Sequence, residues 1–201
     1  SESPLIDGDK LIVTPGGEKG AIIALEKKTG KTIWQSSDLT DPAQYSSVIV
    51  AEVNGKRQYI QLFMKKLAGV SADTGDLLWS TKWPGRTAVI PTPIYSEGHV
   101  YISSGYGVGS KLVDISGEEA KDVWSNKVMK NHHGGVIKVG EHVYGFSDGP
   151  GLVCQNFKTG EQVWSERGEG KSKGAVHYVD GMLVCIDESE GSCFLAKASP
   201  D

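Results

Sequence analysis

The chain lacks most of the features that settle a protein's class at a glance. No apolar run approaches the ~18 residues of a membrane-spanning helix. No charged-then-apolar segment opens it, so a secretory leader is either absent or already removed. There is no basic block, and the formal net charge is −4, which argues against nucleic acid as a partner. Cysteine is scarce, with only Cys154, Cys185 and Cys193 and no C-x-x-C spacing. Buried small hydrophobes are the expectation for these three, with a Cys185–Cys193 bridge across a hairpin as the alternative; a metal site is not expected. No segment carries apolar residues at helical spacing over ten or more positions.

Glycine is the residue in excess: 26 of 201 positions, about twice the usual ~7%. Scattered glycine implies many tight turns and therefore many short strands. Hydrophobic residues make up 38%, enough for an ordinary packed core or a short array of repeats.

A repeat runs through the chain. "ALEKKTGKTIW" (24–34) returns as "GVSADTGDLLW" (69–79) and as "CQNFKTGEQVW" (154–164). Trp34, Trp79, Trp124 and Trp164 are separated by 45, 45 and 40 residues, with Trp83 outside the series. A period of about 40–45 residues fits a four-stranded propeller blade. "KLIVTPG" (10–16), "HVYISSG" (99–105), "HVYGFSD" (142–148) and "MLVCIDE" (182–188) are β-rich and each follows a turn, while "NGK" at 54–56 is a hairpin signal. Gly30, Gly75 and Gly160 are expected at positive φ in tight turns. Each tryptophan beyond them packs between sheets, contributing on the order of 3 kcal/mol. The third unit, "DISGEEAKDVW" (114–124), has Glu119 and Ala120 in place of Thr and Gly, which points to a different turn around Gly117. "SGYGVGS" (104–110) and "GGEKG" (16–20) fit hairpins rather than dinucleotide loops.

The expected fold is therefore all-β, a propeller of four blades and a partial fifth. The units run 5–44, 45–85, 86–130, 131–172 and 173–201. The chain is expected to be about half of a ring of seven or eight blades, with a complete small ring as the alternative. Exposed sheet edges of an open arc are expected to associate with the rest of the parent chain or with another copy.

The pattern A-x-[DEN]-x-x-T-G-[KED]-x-x-W resembles the tryptophan-docking repeat of the pyrroloquinoline-quinone (PQQ) type β-propellers, over most of residues 5 to 201. That family includes quinoprotein alcohol dehydrogenases, the polyvinyl-alcohol dehydrogenase-like proteins and non-enzymatic scaffolds of outer-membrane barrel assembly. The resemblance implies a periplasmic or otherwise extracytoplasmic location. It also implies two functions: an alcohol dehydrogenase using PQQ with Ca²⁺, or a non-catalytic propeller that binds protein partners. The adjacent Cys-Cys pair that covers the cofactor in the family's enzymes is missing.

The conspicuous polar cluster is "NHHGG" (131–135), before the strand "VIKV". At the inner end of a blade, His132 and His133 are candidates to bind an anionic ligand or act as a base. The alternative is one histidine bonded to a neighbouring blade and the other exposed. Arg86 with Thr87, Lys173, and Tyr45 with Ser46 occupy corresponding strand starts, and His177 is expected to pack within its strand. Arg86, His132, His133 and Lys173 form the candidate cofactor-binding set, a cationic ring suited to a quinone carboxylate.

Overall fold

A computed structural model describes residues 2–167 and 173–201; the end of the fourth sequence unit, 168–172, lies outside the described residues. All described regular structure is β, in five antiparallel sheets that follow one another along the chain. The first sheet holds β1 (Leu5–Asp7), β2 (Lys10–Val13), β3 (Ile23–Glu26) and β4 (Thr32–Gln35). The second holds β5 (Ile49–Val53), β6 (Lys56–Leu62), β7 (Lys66–Ser71) and β8 (Leu77–Lys82). The third holds β9 (Ile94–Ser96), β10 (His99–Ser104), β11 (Gly109–Asp114) and β12 (Lys121–Asn126). The fourth holds β13 (Val136–Val139), β14 (His142–Ser147), β15 (Gly151–Asn156) and β16 (Gln162–Glu166). The fifth has three strands: β17 (Gly174–Val179), β18 (Met182–Asp187) and β19 (Cys193–Lys197). Each sheet is a blade of the PQQ-type β-propeller, four complete and one partial.

The turns follow from local chemistry. Asn54-Gly55, Glu97-Gly98 and Asp180-Gly181 each place both residues at positive φ, the geometry that matches the twist of paired strands. Each pair joins the first strand of a blade to the second. In the second, third and fourth sheets the two middle strands are the most buried, with His99–Ser104 and His142–Ser147 buried at every position after the histidine.

The Thr-Gly-Trp phrase has a double structural role. Gly30, Gly75 and Gly160 take φ of 73°, 79° and 74°, as the turn requires. Beyond the turn the fourth strand carries a bulge: Ala24 faces Trp34, Gly69 faces Trp79 and Cys154 faces Trp164, and the register then skips one residue. The skipped residues Ile33, Leu78 and Val163 are exposed, while the bulge turns Trp34 and Trp164 toward the next blade.

The chain divides into two compact units, Ser1–Val100 with Asp114–Lys121, and Tyr101–Val113 with Asp122–Asp201. In the first, Trp34 is buried among Ile12, Ile22, Leu39, Tyr59 and Phe63. Its indole N–H donates to the Ala72 carbonyl at 3.2 Å. A Cβ on Gly75 would lie 2.4 Å from its ring, so glycine is needed there for space as well as for φ. In the second unit Trp124 repeats this arrangement, donating to the Phe157 carbonyl at 3.2 Å with Gly160 against its ring. Trp164 donates to the Ser199 carbonyl at 2.9 Å.

Trp79, in the first unit, departs from the series. Its indole N–H turns back to Gln58 Oε1 of its own blade, 2.6 Å away. The facing turn at Asp114–Lys121 lacks the Thr-Gly pair. It is not built on a positive-φ Gly117; instead Asp114 Oδ1 accepts from the Ser116 N–H and hydroxyl at 2.8 and 2.6 Å. Those bonds hold the Asp114 carboxyl below the usual carboxylate range. A cavity of about 320 Å³ remains between Trp79, Gln58 and Ile115–Glu118.

Two expectations need correction. The Cys185–Cys193 bridge does not form: all three cysteines are free. Cys185 pairs with Phe194 and Cys193 with Ile186, so the two thiols lie on opposite faces of the sheet, Cys185 buried and Cys193 exposed. Burial pushes the Cys185 thiol up to about 11. His177 does not pack within its strand but is exposed on β17, opposite Val184.

Candidate functional site

The polar cluster around residues 131–135 lies wholly in the second unit. Asn131 is fully buried and fixes the loop. Its amide donates to the Gly135 and Phe146 carbonyls, both at 2.9 Å, and its Oδ1 accepts the Gly135 N–H at 3.1 Å. Gly134 approaches the main chain of β17 so closely that an added Cβ would fall 1.6 Å from the Gly174 carbonyl oxygen. These constraints set the direction of the two histidines between them.

His132 Nδ1 lies 3.1 Å from Asp148 Oδ2. The same oxygen accepts the Tyr106 N–H at 3.3 Å, and the Tyr106 and His132 rings sit 4.2 Å apart. Tyr106 adopts a positive φ of 57°, a conformation of the tight β10–β11 turn. His133 Nε2 lies 3.3 Å from Glu188 Oε2. The His132 side chain is 14% exposed and that of His133 40%, so one histidine is enclosed and the other reaches the surface. Asp148 Oδ1 is buried with no hydrogen-bond partner among the described residues. That orphaned acceptor calls for a donor, a water or a ligand N–H or O–H group.

The other predicted site residues are used differently. Lys173 is half-buried, and its carbonyl accepts the Glu188 N–H at 3.1 Å, which places its backbone beside the partner of His133. Arg86 and Thr87 belong to the first unit and are exposed, Thr87 with a positive φ of 55°. Ser46 is buried and its hydroxyl donates to the Pro91 carbonyl at 3.0 Å, while Tyr45 is exposed. Buried Gln61 ties the same region by donating to the Ser46 carbonyl at 2.8 Å. The structure thus brings His132, His133 and the Lys173 backbone into one neighbourhood, while in the first unit Ser46 and Gln61 hold strand starts and Arg86, Thr87 and Tyr45 are exposed.

Sequence reasoning missed Asp148, Glu188 and Tyr106. A signal exists for the two acids: each directly follows the second strand of its blade, in "GFSD" and "CIDE". Both histidines face carboxylates, and these contacts cross-link strand ends.

The donor set does not fit the calcium of a quinone site. Calcium takes six to eight oxygens, carboxylates among them. Among the described residues no group of three or more His, Cys, Asp or Glu is placed to hold a metal.

With this geometry in view, comparison with known proteins is informative at the level of the fold. The sequence pattern of the family described as outer membrane protein assembly factor BamB matches residues 1–166 and again 115–199. The crystal structure of BamB from Moraxella catarrhalis superposes with a TM-score of 0.71 at 18% identity, covering 98% of this chain and 63% of that one. The quinohemoprotein alcohol dehydrogenase ADHIIG from Pseudomonas putida HK5 gives 0.60 at 16% identity, covering 99% and 42%. The quinohemoprotein alcohol dehydrogenase from Comamonas testosteroni gives 0.56 at 14%, covering 98% and 42%. The chain therefore spans about 63% of the length of the BamB structure it matches. No curated protein sequence matches it.

Proposed function

We propose, since this chain belongs to the family of the outer membrane protein assembly factor BamB, that it is a non-catalytic propeller scaffold. It works outside the cytoplasm, contributes to the assembly of outer membrane proteins, and presents its blades and loops to protein partners. Its five blades are part of a larger ring of seven or eight. The observation that carries this reading is the pairing inside the candidate site: His132 with Asp148 and His133 with Glu188. These side chains are turned on one another and join strand ends. The competing reading is a quinone-dependent alcohol dehydrogenase of the polyvinyl-alcohol type, with Arg86, His132, His133 and Lys173 about the cofactor. It would need an oxygen cage for calcium beside those residues.

A complementation experiment separates the two. Removing the protein from its source cell is expected to lower the amount of β-barrel proteins in the outer membrane. The double variant His132→Gln, His133→Gln is expected to restore them, because glutamine keeps a hydrogen bond to each carboxylate. Unchanged barrel levels on removal, or a folded double variant that fails to restore them, would contradict the scaffold reading.

A further inference from the structure

The cavity beside Trp79 is lined by a hydrogen-bond donor whose counterpart at the Trp34 dock is satisfied. It measures about 320 Å³ and lies in the first compact unit, between the second sheet and the turn after β11. Both blades that wall it have all four strands. Its inner wall is apolar, with Val53 and Ile115 buried and the half-buried Trp79 ring beside them. Exposed Lys56 and Glu118, of opposite charge, stand at its mouth. Asn54 fixes the rim by donating to the Ser116 carbonyl at 2.7 Å.

The first blade shows what is missing. Ile12 and Ile60 occupy the same place in their blades, each paired with the residue that faces the docking tryptophan. Lys10 and Gln58 stand two residues before them. Lys10 Nζ donates to the Ala72 carbonyl at 2.6 Å, and the Trp34 indole donates to the same oxygen at 3.2 Å. For the second blade the corresponding carbonyl is that of Ile115, whose N–H donates to Gly98 as that of Ala72 does to Arg57. Neither donor of the second blade reaches it. The Trp79 indole bonds to Gln58 Oε1 instead. Gln58 is only 4% exposed, and its Nε2 has no acceptor among the described residues. A buried donor that lines a cavity calls for an acceptor within it.

We propose that this cavity binds one N-acetylated pyranose ring. The acetamido carbonyl accepts from Gln58 Nε2, taking the place that a main-chain carbonyl fills at the Trp34 dock. The acetyl methyl and the C–H face of the sugar lie on Val53, Ile115 and the indole, whose electron-rich face attracts polarised C–H groups. The hydroxyls reach Lys56 and Glu118, which together leave the site as neutral as the sugar. An apolar wall with a few convergent polar groups is the usual make-up of a small-molecule site, and the volume suits a single ring. The assignment goes beyond the scaffold reading and does not depend on it.

The test titrates the isotope-labelled intact chain with N-acetylglucosamine and follows the Trp79 indole N–H signal by NMR. That signal is identified by its loss in Trp79→Phe. A saturable shift is expected, with a Kd on the order of 1 mM. Glucose, which has the ring without the carbonyl, should bind about tenfold more weakly, since Gln58 Nε2 stays unpaired. N-acetylglycinamide, which has the carbonyl without the ring, should be weakened as much. Gln58→Glu keeps an acceptor for the indole and removes the donor, and should also weaken the sugar about tenfold. Gly117→Phe narrows the mouth without disturbing the fold, since a Cβ there meets only the Glu119 carbonyl oxygen at 3.8 Å. It should weaken binding as far, and it decides alone if Gln58→Glu does not fold. No saturable shift at about 50 mM sugar would overturn the proposal, as would a shift that spares Trp79 or binding unchanged in folded variants. Glucose binding as tightly would overturn the role of the carbonyl. N-acetylglycinamide binding as tightly would overturn the sugar and point to a peptide as the occupant.

Discussion

The docks at Trp34 and Trp79 are built from the same phrase and end differently. At Trp34 the facing turn supplies Thr74 and Gly75, the indole N–H reaches a main-chain carbonyl, and the ring is 8% exposed. At Trp79 the facing turn is Asp114–Lys121, the indole bonds within its own blade, and a cavity remains. A propeller junction of this type thus needs two parts from different blades, the tryptophan and a glycine that permits its approach. Where the second part is worn, the first finds a local partner, and the junction keeps its strands but loses its close fit.

That contrast can be broken in graded steps. Trp34→Ala should have the largest effect, about 3–5 kcal/mol of lost stability, because it empties a buried aromatic site. Denaturant titration would measure it, and a loss under 1 kcal/mol would mean the dock does not carry the junction. Gly75→Ala should cost about 2–3 kcal/mol, from strain at positive φ and from overlap with the ring. In the Trp34→Ala background that cost should shrink to the φ term, about 1 kcal/mol. Full additivity would show that the ring contact is not the cause. Trp79→Ala should cost less than Trp34→Ala, about 1–2 kcal/mol, since a half-buried ring and one hydrogen bond are lost.

The smallest expected effect concerns pH. Arg57 makes a two-pronged ion pair with Asp7 at 2.7 and 2.8 Å, and the Tyr59 hydroxyl donates to the same carboxylate at 2.8 Å. The Arg57 hydrogen bond, above all, holds the Asp7 carboxyl below the usual range, against the opposing effect of its partial burial. A depressed folded-state pKa means stability that is present above the unfolded value of about 3.9 and lost as pH falls through the folded value. Asp7→Asn should therefore flatten the decline in melting temperature below pH 4 and leave its shape above pH 6 unchanged. An unaltered acid limb would show that the pair is too solvent-screened to matter.

Much of this architecture was legible in the sequence because it rests on local rules. Asn54-Gly55 and Asp180-Gly181 announce hairpins through residues that tolerate positive φ, and the tryptophan spacing sets the blade period. What needs a second blade was not legible. Nothing around Gly75 says that it lies under Trp34, 41 positions upstream. The third turn does lie around Gly117, between Asp114 and Lys121, but the bonds from Ser116 to Asp114 that close it are a quieter signal than a Thr-Gly pair. Within the candidate site the histidines stood out, whereas Asp148 and Glu188 look like ordinary turn acids until the sheets bring them to His132 and His133. The Cys185–Cys193 bridge failed on parity: eight residues apart across a hairpin, the two thiols are near in sequence but face opposite ways.

The central claim, a scaffold rather than a quinone enzyme, is tested most directly by titrating the chain with PQQ and Ca²⁺ while following tryptophan fluorescence and melting temperature. A ligand that binds only the folded state raises the melting temperature as its concentration passes the dissociation constant. The account predicts no saturable shift with the two together. A saturable rise, abolished in the His132→Ala, His133→Ala double variant, would contradict it and place a cofactor at the paired histidines.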